Sequence, residues 1–147
     1  MSTHDVAVAG PIWPRILLRV SLTVAAVLLL SQSITAGLFM SELRAAFPVH
    51  RELATAAGIA LMVAVVAAVI CARRGGGWWP VWATIGMLGL MSLQAFAGYR
   101  SLTALHVPLG VVTIVAGIAL ALWSWAPPAH KTSRPASTAN VRESTRA

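Results

Sequence analysis

The stretch Leu53-Ala-Thr-Ala-Ala-Gly-Ile-Ala-Leu-Met-Val-Ala-Val-Val-Ala-Ala-Val-Ile-Cys-Ala72 carries no charged residue. It is long enough to cross a bilayer core as a helix, which takes about 20 mostly apolar residues. Three further runs, at about residues 16–40, 81–98 and 102–126, have the same character. The links between the runs are short. Gly75, Gly76 and Gly77 suit a tight turn, and Pro80 suits the first turn of the helix that follows, where its missing N–H costs nothing. Short links put successive helices side by side and antiparallel. The expected fold is therefore all-α, an integral membrane up-down-up-down four-helix bundle over residues 12–126.

Composition supports this reading. Of 147 residues, 58% are hydrophobic and 10% charged, against about 45–50% and about 25% in soluble domains. An ordinary water-soluble domain is excluded, and so is a disordered chain, which needs low hydrophobicity and high charge. The net charge is +7, but the basic residues sit between apolar runs and not as a patch on a soluble fold, so nucleic acid is not the expected partner. The single cysteine, Cys71, rules out a disulfide framework within one chain and a Cys-rich zinc site. It reads as inert packing, with juxtamembrane palmitoylation as the alternative.

Charge placement predicts orientation. Arg15, Arg19, Arg73, Arg74, Lys131, Arg134, Arg142 and Arg146 fall on one side, and Arg44, Arg51 and Arg100 on the other. The basic-rich side is expected to be cytoplasmic, with both termini on it. Arg19, one turn inside the first helix, is expected to snorkel to that surface. Trp13, Trp78, Trp79, Trp82, Trp123 and Trp125 all lie at the same ends of the runs, as interfacial anchors do. Residues 1–11 lack the basic and apolar regions of a signal peptide and read as an N-terminal segment. Residues 127–147, rich in Pro, Ser, Thr and Ala with a small basic excess, read as a flexible solvated tail.

The two halves resemble each other, which predicts a bundle built from two similar helical hairpins. Each odd-numbered run ends in a Gln followed by a Gly, Gln32-Ser-Ile-Thr-Ala-Gly37 and Gln94-Ala-Phe-Ala-Gly98, and each even-numbered run begins near a His, His50 and His106. The pentapeptide Ala-Gly-Ile-Ala-Leu recurs at 57–61 and 116–120, although out of register with the histidines.

Ionisable groups at membrane depth are functional candidates. Catalytic triads, zinc-protease motifs and phosphate-binding glycine loops are all missing from the sequence. The two histidines stand at similar depth. Beneath His106 the face runs Gly110, Thr113, Gly117, and beneath His50 the same offsets give Ala54, Ala57 and Leu61. Two imidazoles across a bundle can ligate haem iron axially, and small residues below them would admit a flat macrocycle. Arg51, Arg100 or Arg44 would pair with propionates. The bland alternative is that the small residues serve helix packing and the histidines sit wet at the headgroup level. Gln32 and Gln94 are read either as part of the site or as interhelical glue. Pro108 biases Val107 away from helix, leaving His106 either in a helical turn or in a loop at the mouth.

The stretch Phe47-Pro-Val-His50-Arg51-Glu-Leu-Ala, with an apolar helix after it, resembles the second helix of the heme A synthase family. Gln94-Ala-Phe-Ala-Gly98 followed by Ala104-Leu105-His106 resembles that family's next hairpin. The chain is also similar to small four-helix bacterial membrane proteins of unassigned function with the same Gln/Gly/His pattern. The resemblance covers residues 12–126 as one half of a heme A synthase. It implies a His pair facing one b-type haem in a bacterial plasma membrane. Heme A synthesis itself is not expected. Where the family has a Glu three residues before the first His, this chain has Phe47, and the outer-loop Cys pair is missing from this sequence.

Three functions follow as expectations. The first is a haem-b protein for electron transfer or haem handling, with His50 and His106 as metal ligands. Around them Arg51, Arg100, Gln32, Gln94, Gly110 and Gly117 complete the site. The second is a non-catalytic membrane subunit or assembly partner without a cofactor. The third, a transporter or channel subunit, lacks the charged midplane site such proteins carry. Expected partners are the lipid bilayer and another membrane protein or a second copy of the chain.

Overall fold

The computed structural model describes residues 12–127. They form four α-helices: α1 (Trp13–Met40), α2 (Ala46–Arg73), α3 (Trp79–Tyr99) and α4 (Thr103–Trp125). Each is long and apolar enough to cross a membrane. The N-terminal segment 1–11 and the basic tail beyond residue 127 lie outside the described residues. The helices close a ring in which α1 packs on α2 and α4, and α3 packs on α2 and α4.

The buried positions follow a three-four spacing. In α1 they include Leu18, Leu22, Ala25, Leu29 and Gln32, in α2 Ala57, Leu61, Ala64, Ala68 and Ala72. In α4 they include Gly110, Thr113, Gly117 and Leu120. This is the seam spacing of helices that pack at a shallow angle. The outward faces are also apolar, with Val20, Val24, Val27, Ile34, Val66, Val111 and Val115 all exposed. What distinguishes the interior is small size: nine alanines of α1 and α2 are buried, Ala25, Ala26, Ala46, Ala57, Ala60, Ala64, Ala67, Ala68 and Ala72. Small side chains let helix backbones approach closely. The interior hydroxyls return to their own helices. Thr84 Oγ1 donates to the Pro80 carbonyl at 2.8 Å, and Thr113 Oγ1 to the Leu109 carbonyl at 2.7 Å. No buried donor is left open by them.

The first three helices start earlier than the apolar runs. α2 begins at Ala46 and takes in Phe47, Pro48 and His50, where the run suggested a start at Leu53. Pro48 is third in the helix, among first-turn positions whose N–H groups have no intrahelical acceptor. Hydropathy locates the membrane-compatible part of a helix and does not register a polar first turn. α1 likewise begins at Trp13, with Pro14 buried in its first turn. Pro108 lies inside α4, and helix persists on both sides of it, so His106 stands in a helical turn and not in a loop. The His106 N–H donates to the Leu102 carbonyl at 2.8 Å.

The ends of α1, α2 and α3 share one hydrogen-bonded closure. Leu43 N–H donates to Leu38 O, Gly76 N–H to Cys71 O and Leu102 N–H to Ala97 O, at 3.1, 3.0 and 2.9 Å. A second bond one residue inside accompanies each of them, from Glu42 to Phe39, Gly75 to Ala72 and Ser101 to Gly98. This double bond pattern requires a left-handed residue after the helix. The glycine turn supplies Gly75 at φ 88°, but the other two closures use Glu42 at φ 71° and Ser101 at φ 55°. Side chains in this region cost about 1–2 kcal/mol, so both turns at the histidine end are strained and the glycine turn is not. Glu42→Gly and Ser101→Gly are each expected to stabilise the protein by about 1 kcal/mol, and Gly75→Ala to destabilise it by a similar amount. Unfolding midpoints in detergent check all three.

Candidate functional site

His50 is the fifth residue of α2 and His106 the fourth of α4. The ring packing of the four helices brings both to one end of the bundle, beside the last turns of α1 and α3. His50 Nδ1 lies 3.2 Å from the main-chain carbonyl of Gln32. His106 Nδ1 lies 2.8 Å from that of Gln94. A carbonyl only accepts, so each Nδ1 carries the proton and donates. In the neutral ring this leaves Nε2 with its lone pair, the arrangement found in metal-ligating imidazoles. The two ring centroids are 6.4 Å apart with planes inclined by 73°. Each carbonyl sits next to Pro-free helix one turn or more from the helix end, and can accept a side-chain donor in addition to its helical one through its second lone pair.

The two halves reach this arrangement with different heights. Gln32 is eight residues from the end of α1, whereas Gln94 is five from the end of α3. The return to His50 is longer by the same amount, so the contact is preserved. The three extra residues, all helical in α1 but one helical and two in the loop on the return, put the first half out of register with the second in the sequence.

The Gly that follows each Gln is not equivalent in the two halves. A Cβ on Gly98 would lie 2.9 Å from His106 Cε1 and 3.0 Å from its Nδ1, so the His106 ring lies directly on this glycine. A Cβ on Gly37 would meet nothing within 4 Å. In the first half Thr35 takes the place beside the ring, its Oγ1 3.3 Å from His50 Nδ1 and donating to the Gln32 carbonyl at 3.0 Å. Gly98 and Thr35 thus shape the site although neither is among the residues expected there from the sequence. Thr35, three residues beyond Gln32, faces the same side of α1, and that spacing was the available signal.

Gly110 and Gly117 are buried on the axis, one and three turns beneath His106. The notches at these glycines are filled. Gln94 Nε2 lies 2.9 Å from where a Gly110 Cβ would stand, and Leu29 Cδ1 and Met87 Cε lie 3.0 and 3.2 Å from a Gly117 Cβ. Gln32 and Gln94 are both buried. The Gln32 Nε2 group has no hydrogen-bond partner among the described residues, a cost of about 1–3 kcal/mol for a buried donor.

Arg51 and Arg100 stand exposed around this end, and their guanidinium groups make no hydrogen bond to the described residues. Arg44 joins Glu42, Phe39 and Phe47 around a shallow outer cleft of about 410 Å³, with the two phenylalanine rings 5.3 Å apart. Among the described residues no group of three or more His, Cys, Asp or Glu is placed to hold a metal ion. Cys71 is a free thiol near the other end of α2. Compared with known proteins, the chain matches no family model, no curated protein and no solved structure.

Two outcomes follow from these contacts. Gly98→Ala should displace the His106 ring and cost about 1–3 kcal/mol, as overpacking does, whereas Gly37→Ala should not destabilise. Detergent unfolding and the imidazole nitrogen resonances of His106 check this. Gln32→Met should stabilise the ligand-free protein by about 1 kcal/mol, because it removes a buried unpaired donor, measured in the same unfolding assay.

Proposed function

We propose that this chain is a multi-pass protein of a bacterial plasma membrane with both termini cytoplasmic. It would form an up-down-up-down bundle of two similar hairpins that binds one b-type haem between His50 and His106. The observation that carries the reading is the pair of Nδ1–H bonds to the Gln32 and Gln94 carbonyls, with the two rings 6.4 Å apart. His50 and His106 would hold the iron through the Nε2 nitrogens that those bonds leave free. A bis-imidazole haem supplies one-electron transfer when bound. The chain's own contribution is to orient both rings and to fix their tautomer through the carbonyls. Arg51, Arg100 and Arg44 would pair with propionates at the outer surface, and the unpaired Gln32 amide offers a buried donor beside the ring layer.

A second reading rests on the filled notches at Gly110 and Gly117. An interior that packs without a cofactor suits a membrane subunit or assembly partner, joined to another membrane protein or to a second copy of the chain. Absorption spectra of protein purified from haem-replete cells separate the two. The haem reading expects a Soret band and split low-spin visible bands on reduction, lost in His50→Ala and in His106→Ala. Colourless folded protein with a stoichiometric membrane partner would instead establish the second reading.

A further inference from the structure

The end of the bundle opposite the histidines holds a cleft of about 580 Å³ between α1, α4 and the turn into α3. Arg15 and Arg19 enter it from α1, with Leu18 between them, and Trp79 and Trp123 form an aromatic wall. The volume lies in the range of small-molecule sites.

Arg19 is held in place. Its Nε–H donates to the Ser124 carbonyl at 2.7 Å, and its guanidinium lies 5.1 Å from the Trp125 ring centroid. Trp125 is fixed in turn by its Nε1–H, which donates to Thr23 Oγ1 at 3.0 Å. Arg19 therefore does not simply extend to the surface, as a snorkelling residue would. It caps one of the last carbonyls of α4 and keeps its terminal N–H groups available. Arg15 lies one turn away on the same face and is exposed.

No negative charge among the described residues balances these two. The only acids there, Glu42 and Glu52, stand at the histidine end, whereas Arg73 and Arg74 add to the positive charge at this one. The opposite wall is apolar, with the Trp79 and Trp123 rings 4.3 Å apart. A pair of guanidinium groups above an aromatic and aliphatic wall fits a ligand with an anionic head and an apolar continuation.

We infer that this cleft binds the phosphate of an anionic phospholipid, with Arg15 and Arg19 on its oxygens and Trp79 and Trp123 against its glycerol and upper acyl chain. The inference rests on the membrane-spanning part of the proposed function and is independent of haem.

The test is native mass spectrometry of the full chain in dodecyl maltoside, titrated with dioleoyl phosphatidylglycerol or dioleoyl phosphatidylcholine. Selective retention of phosphatidylglycerol is expected. Arg15→Gln should weaken it about fivefold, and the Arg15→Gln, Arg19→Gln pair about twenty-five-fold. The Arg44→Gln, Arg100→Gln pair at the other end should leave it unchanged. Arg15 is exposed and makes no side-chain hydrogen bond to the described residues, so the single variant remains informative if loss of the Arg19 cap unfolds the pair. Equal losses in the cleft and control variants, or no preference for phosphatidylglycerol, would overturn the inference. Displacement of the lipid by millimolar inorganic phosphate would overturn it too, by making a soluble ion the ligand. Alkaline carbonate extraction of membranes separates the two levels. Release of the protein refutes the spanning reading, whereas retention without lipid selectivity refutes this inference alone.

Discussion

A chain whose outside is as apolar as its inside cannot select its core by hydrophobicity. Val24 and Val27 of α1 face outward, and Ala25 and Leu29, between and beside them, face in. What sets the interior is size. The buried alanines of α2, set three and four residues apart, let α1 lie close along most of its length, and the larger Leu22, Leu29 and Leu61 fill the space between backbones. In lipid, where side-chain burial brings little transfer gain, such packing is the main source of helix association. The placement of every other feature follows from this seam. Gln32 continues the α1 spacing of Leu18, Leu22, Ala25 and Leu29, so the residue that meets His50 is placed by the same periodicity that packs the helices.

The same constraint explains why polar residues are concentrated at two levels. Interior hydroxyls bond to their own backbones and specify no partner. The imidazoles do, because their hydrogen bonds cross between helices. The Gln–His contact joins α1 to α2 and α3 to α4 by main-chain carbonyls, which no side-chain substitution at the glutamines removes directly. Strain accumulates in the turns beside this layer, at Glu42 and Ser101, whereas the opposite turn uses glycine. The backbone strain thus lies at the end that holds the imidazoles, and the opposite connector is free of it.

At the connector end, charge and aromatic residues do a different task. Arg74 lies 5.2 Å from the Trp13 ring centroid as Arg19 lies over Trp125, so two arginines rest on two tryptophans at the level where the helices start and stop. The cleft that Arg15 and Arg19 enter lies at this level, with no acid among the described residues on its wall.

The sequence by itself determined the number of helices, their approximate spans and the clustering of tryptophan and arginine at one end, because these depend only on composition along the chain. It also made the histidines and glutamines stand out, as rare polar residues at matching places in two halves. It did not give the helix starts, since a polar first turn such as Phe47 to Glu52 looks like loop to any hydropathy argument, nor the helical state of His106, where the bias of Pro108 was outweighed by the backbone bonds around it. Only the tertiary structure decided which glycine mattered. Gly98 lies under an imidazole ring and Gly37 under nothing, although both follow a glutamine. The notches at Gly110 and Gly117 are likewise filled by side chains of other helices. Contacts between helices depend on height and rotation, and the first pair has three more residues than the second on each side of the contact, in the helix on one arm and mostly in the loop on the other. That offset is invisible to local pattern, because it cancels only when the helices are placed side by side.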